Sequence, residues 1–191
     1  MSMKNFLFFD TETTGFPPKA RMTQLAFMLV REDGEVIDSF KSLIKPDGWE
    51  VPKDKFFIDN NMSTERCRAE GIPVFDALRR LQDNLKLASV KVAHNINFDN
   101  KIILKELQGA KITHQLFQFK KGFCTMATST EFCQLPGKYK NYKWPKLEEL
   151  HRILFKEEFD GAHDAMGDVK AMARCFFELD RIGVINKNQT K

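Results

Sequence analysis

Apolar positions come first as short dense runs and later as helical stripes. Lys4–Asp10 is an apolar run ending on a carboxylate, which predicts a buried strand. Thr13 to Pro18 breaks it with glycine and proline. Met22–Arg31 and Glu35–Lys45 are apolar-rich and joined through Asp33-Gly34, which predicts a hairpin. Pro46–Asn61 reads as loop, and Ser63 caps a short helix ending near Gly71. Pro73 suits the first position of a helix with Val74, Leu78, Leu81 and Leu85 on its apolar face. Val90–His94 predicts another buried strand, and a helix from about Asn97 carries Ile102, Ile103 and Leu107 to Gly109. Phe123–Cys133 fits a strand or a helix, and Gly137–Pro145 a loop. Lys146–Phe155 and Asp164–Ile182 are helical, the second with Val169, Met172, Phe176 and Leu179 in its stripe. Three strands followed by strands alternating with helices predict an α/β sheet covered by helices.

Length and composition narrow the class. At 191 residues, 42% hydrophobic and 29% charged, the chain can bury one core, neither disordered nor membranous. Residues 1–185 are expected to form one domain and 186–191 a short tail. No apolar stretch is long enough to span a membrane, and the start lacks a signal-peptide core. A cytoplasmic protein is expected, with Cys67, Cys124, Cys133 and Cys175 as reduced structural thiols. The net charge of +4 permits nucleic-acid binding without arguing for it.

The chemistry sits in three segments. Asp10 and Glu12 are two apart on a strand, so both carboxylates point to one face. Two hard oxygen donors on a rigid face suit Mg²⁺ or Mn²⁺, although alone the triplet also fits a solvated strand end. Asp99 follows the second buried strand, where it would complement a helix dipole or join a metal site. His94 and Asn95 either hold that turn or touch substrate. Asp168 stands five after His163, which a helix would place about 140° apart. Both reach one site only if His163 precedes the helix, with Asp164 as its N-cap.

Together, Phe9-Asp10-Thr11-Glu12-Thr13-Thr14-Gly15, His94-Asn95-x-x-Phe98-Asp99 and His163-x-Ala165-x-x-Asp168 resemble the three motifs of the DEDDh, DnaQ-like 3′–5′ exonucleases. That family includes the proofreading epsilon subunit of bacterial DNA polymerase III, RNase T and oligoribonuclease. The resemblance covers about residues 4 to 180, and Lys146-Leu147-Glu148-Glu149-Leu150 is similar to the segment before the third motif. It implies an RNase H-like fold, a mixed five-stranded sheet flanked by helices. It also implies hydrolysis of nucleic acid from a free 3′ end to 5′-nucleoside monophosphates. The substrate implied is single-stranded or frayed DNA in proofreading or repair, with RNA 3′-end processing as the alternative; a non-catalytic binding module is a lesser one.

By position, the resemblance implies two divalent cations, Mg²⁺ or Mn²⁺. Asp10 would bridge them, Glu12 and Asp168 complete one site, and Asp99 support the other. His163 would take a proton from the attacking water. Thr13, Thr14, Gly15, Phe16, Asn95 and Phe98 would contact substrate, although each Phe equally suits core packing in a chain with 18 of them. Many relatives carry Ile-His-Gly-Ile-Ser/Thr where this chain has Asp59-Asn60-Asn61-Met62-Ser63, so no contact is carried over there. Nothing resembles the epsilon subunit's C-terminal tail, so polymerase docking by that route is not expected. Gly137–Trp144 interleaves bases with aromatics, as a single-strand-binding loop does, or is a solvated loop with its aromatics tucked under.

Overall fold

The computed structural model describes residues 3–138, 141–160 and 164–185. Strand β1 (Asn5–Thr13) is the middle of a five-stranded sheet of order β3-β2-β1-β4-β5. β2 (Met22–Arg31) pairs antiparallel with β1, and β3 (Val36–Leu43) antiparallel with β2. β4 (Val90–Ala93) and β5 (Gly122–Cys124) add on in parallel. The antiparallel half needs only short turns, as at Gly34 with φ +91°, whereas the parallel half needs crossovers that carry helices.

The helices are α1 (Lys55–Asp59), α2 (Thr64–Glu70), α3 (Val74–Leu87), α4 (Ile96–Gly109), α5 (Gln115–Phe119), α6 (Thr125–Cys133), α7 (Leu147–Phe155) and α8 (Ala165–Arg181). α3, α4 and α5 pack together, as do α6, α7 and α8. β1 shows how they divide the sheet. The Phe6 and Phe8 rings lie 4.9 and 5.3 Å from Phe176 of α8, whereas Phe9 lies 5.8 Å from Phe117 of α5. The period-two alternation therefore continues Phe6 and Phe8 into Asp10 and Glu12 on the α8 side, and Phe9 into Thr11 on the other. With helices on both faces, β2 is buried from Met22 to Val30.

The hairpin, the paired strands and the longer helices fall where the pattern predicts. β1 runs three residues past Asp10 because Thr11, Glu12 and Thr13 stay paired with β2. α1 lies inside the segment read as loop; Asp54 caps it by accepting from the Phe56 and Phe57 amides, and five residues are too few to show a period. α5, in a stretch without an assigned element, is equally short. Phe123–Cys133 is neither all strand nor all helix: β5 ends at Cys124 and α6 begins at Thr125. Pro73 is the N-cap of α3 rather than its first residue. The four cysteines are free, and no helix among the described residues is long and apolar enough to cross a membrane.

Candidate active site

Asp10 and Glu12 come from the end of β1, and Asp168 from the first turn of α8. One carboxylate oxygen from each lies within 4.8 Å of the others. Asp164 is the N-cap of α8, as expected, accepting from the Gly167 amide at 3.3 Å and pairing with Lys41 of β3 at 2.6 Å. Gln24 fixes the same helix end: it is paired with Glu12 across the strands, and its Oε1 accepts from the Ala165 amide at 2.9 Å. β2 thus sets where Asp168 meets the β1 carboxylates. His163 lies outside the described residues.

Asp99 arrives from α4, on the other side of β1. It is 2% exposed and accepts from the Thr11 amide at 3.1 Å and the Thr11 hydroxyl at 2.8 Å. It therefore stands outside the oxygen triad yet close enough to act on Asp10 electrostatically. Burial raises the Asp10 carboxyl well above the usual range, and Asp99, Asp168, Glu12 and Asp164 raise it further. Burial, then Asp168 and Asp164, push Glu12 up to about 7. Burial also pushes Asp99 up to about 7, against the two hydrogen bonds from Thr11. A divalent cation among these groups would offset the repulsion and let them ionise. All-oxygen donors suit Mg²⁺ or Mn²⁺, so the residues fit the cations that the motifs imply.

The loop after β1 is clamped. The Thr13 hydroxyl donates to the Gly15 carbonyl at 2.7 Å. The Thr14 amide donates to the Arg21 carbonyl, and the Arg21 amide to the Thr14 hydroxyl, both at 2.9 Å. Gly15 turns the chain at φ +145°, a conformation open to glycine. Phe16 is 83% exposed and meets half-buried Phe98 edge-on at 6.3 Å, so Phe16 is not core. Exposed Asn95 opens α4 in the left-handed conformation at φ +69°. His94 holds the turn: Nε2–H donates to the Pro145 carbonyl and Nδ1 accepts from the Thr125 hydroxyl, both at 2.9 Å. Burial lowers the His94 pKa, in keeping with this neutral form.

Two features escape the sequence pattern. Phe56, Phe57, Asn60 and Met62 line a narrow cleft with Glu12, Thr13 and Thr23, so the segment to which no substrate contact was carried over does border the acidic site. α1 brings them there, and its brevity hid it. In the Gly137–Trp144 loop, Tyr142 is 41% and Trp144 68% exposed, so these aromatics are not tucked under; Tyr139 and Lys140 lie outside the described residues.

The mixed sheet with flanking helices and an acidic cluster at the end of its central strand is an RNase H-like arrangement. The model of the RNase_T family, described as exonuclease, matches residues 7–176. The chain belongs to this family of DEDD-type 3′–5′ exonucleases. No curated protein matches it significantly in sequence. Among solved structures it is similar to E. coli exonuclease I in complex with a dT13 oligonucleotide, with TM-score 0.77 and 19% identity over 94% of this chain and 42% of that one. The zinc-bound E. coli exonuclease I–ssDNA complex gives 0.78 and 19% over 95% and 41%. The chain spans about two fifths of the length of these structures, and at such identity they speak for the fold.

Proposed function

We propose that the chain hydrolyses the terminal phosphodiester of single-stranded or frayed DNA from the 3′ end, releasing 5′-nucleoside monophosphates, in proofreading or repair. The observation that carries this reading is the convergence of the Asp10, Glu12 and Asp168 oxygens within 4.8 Å. Family membership supports the reaction, and the DNA oligonucleotides on the similar structures support DNA over RNA.

In this reading Asp10, Glu12 and Asp168 hold Mg²⁺ or Mn²⁺, and Asp99 acts behind them through Asp10. The cations supply Lewis acidity at the scissile phosphate and an acidified water. His163 accepts the proton of the attacking water. The Thr13, Thr14 and Gly15 backbone seats the terminal nucleotide, Asn95 borders it, and the Phe16–Phe98 pair stacks on the last bases. Free thiols accord with a cytoplasmic setting.

The test is nucleotide release from 3′-labelled DNA and RNA oligonucleotides side by side, with Mg²⁺ or Mn²⁺. Release from DNA is expected, abolished by EDTA and reduced at least about a thousandfold in Asp10→Ala, the order that loss of one essential catalytic group costs. Retained activity in either case overturns the reading. A preference for RNA transfers it to the RNA-processing alternative.

A further inference from the structure

Behind the loop that follows β1 lies a groove of about 920 Å³ that the chemistry above leaves unused. Its walls come from the start of β2, the segment after β3, the N-terminal end of α3 and the C-terminal half of α4. Three cations line it: Arg21, Lys45 and Lys105. The Arg21 guanidinium is held against Glu106 at 2.9 Å and lies 5.5 Å from the centre of the Trp49 ring. Lys105 Nζ donates to the Lys19 and Ala20 carbonyls at 3.1 and 2.7 Å, which ties α4 to the same loop. Phe75, 48% exposed, lines the groove from the N-terminal end of α3. Of the two acids in the lining, Glu106 is neutralised by Arg21, leaving Asp47 against Lys45 and Lys105.

Helix α4 links the acidic site to the groove, with Asp99 in its first turn and Lys105, Glu106, Gln108 and Gly109 in the groove lining. Phe98, exposed Lys101 and Lys105 are spaced three and four apart, so they share one helix face. The helical rise sets Lys105 about 10 Å from Phe98 along the axis. A polyanion leaving the Phe16–Phe98 pair would pass Lys101 before reaching Lys105 and the two aromatic walls. Cations tracking a backbone beside rings that accept bases are the means by which proteins hold single strands without reading sequence.

We propose that this groove binds the single-stranded nucleic acid upstream of the scissile bond, with Phe75 and Trp49 taking bases and Lys45 and Lys105 the phosphates. The proposal rests on the reading of the chain as a 3′-end nuclease. Its occupant is the continuation of the strand whose end lies in the acidic site, so it acts on long substrates and not on short ones.

The experiment compares wild type with Phe75→Ala, Trp49→Ala and Lys45→Glu on a trinucleotide and on a DNA single strand of about 15 nucleotides. Binding by fluorescence anisotropy in EDTA, where no cleavage occurs, is the primary readout, so the groove is judged even if the catalytic reading fails. Each variant is expected to weaken binding of the long strand about tenfold with the trinucleotide unchanged. Phe75→Ala and Lys45→Glu should retain thermal stability, and Trp49→Ala, whose ring also packs on the core, is compared below its own lower Tm. Lys45→Glu should also flatten the salt dependence of long-strand binding. With Mg²⁺, KM on the long strand should rise while kcat stays. Equal losses on both lengths, or wild-type binding of the long strand, overturn the proposal. The second result would leave the groove to a protein partner.

Discussion

Thr23 is fully buried between β1 and the cleft that holds Glu12, and its hydroxyl finds no partner among the described residues. A buried hydroxyl without a partner carries a desolvation cost that a methyl of the same shape does not. Thr23→Val should therefore stabilise the protein by about 1 kcal/mol, a rise in Tm of roughly 2–4 °C for a domain of this size. A fall in Tm in a thermal melt would show the hydroxyl engaged. Thr23 is invisible in the sequence because its oddity depends on what surrounds it. Asp10 and Glu12 are legible because two residues on a strand share a face whatever the rest of the fold does. Asp99 was legible as a member of the site but not in its placing: that Thr11 holds it from the far side of β1 follows from helix packing.

Element boundaries were legible where periodicity runs long enough, as in α3, α4 and α8, and lost in α1 and α5, each one turn or so in length. The loss mattered because α1 brings Asn60 and Met62 to Glu12. The contact that orients α8 was also hidden. Gln24 lies in a mostly apolar strand, and only the fold reveals that it accepts from the first amide of a helix 141 residues later. Gln24→Leu keeps the volume and removes the acceptor. The buried Ala165 amide then goes unpaired, which costs about 1–3 kcal/mol. The Asp168 carboxylate rides on that helix turn, so divalent-cation affinity should fall with stability. Calorimetric titration with Mn²⁺ beside a thermal melt checks this; a lower Tm with unchanged affinity would confine Gln24 to stability.

Across the whole molecule, the acidic site opposes the fold that builds it. Asp10, Glu12, Asp99 and Asp168 are brought together by three elements, β1, α4 and α8, and in the folded protein the carboxyls of Asp10, Glu12 and Asp99 hold protons more tightly than ordinary ones. For a raised pKa, the contribution to stability is present below the ordinary value, 3.8 for Asp and 4.5 for Glu, and is lost as pH rises through the folded value, about 7 for Glu12 and Asp99. His94 works the other way, because burial lowers its pKa and its contribution is lost as pH falls. The net slope therefore mixes both, and the carboxylate part is isolated by comparison with Asp10→Asn, which removes the like charge at the centre of the cluster. In EDTA, the Tm difference between Asp10→Asn and wild type should grow in favour of the variant as pH climbs toward about 7 and beyond. Saturating Mg²⁺ or Mn²⁺ should reverse the order, because cations bind ionised carboxylates and stabilise only the chain that keeps all of them. Melting curves across that window, with and without metal, decide the matter. A pH-independent difference in EDTA would mean that the carboxylates do not repel one another, and equal stabilisation of both proteins by metal would mean that they share no cation site.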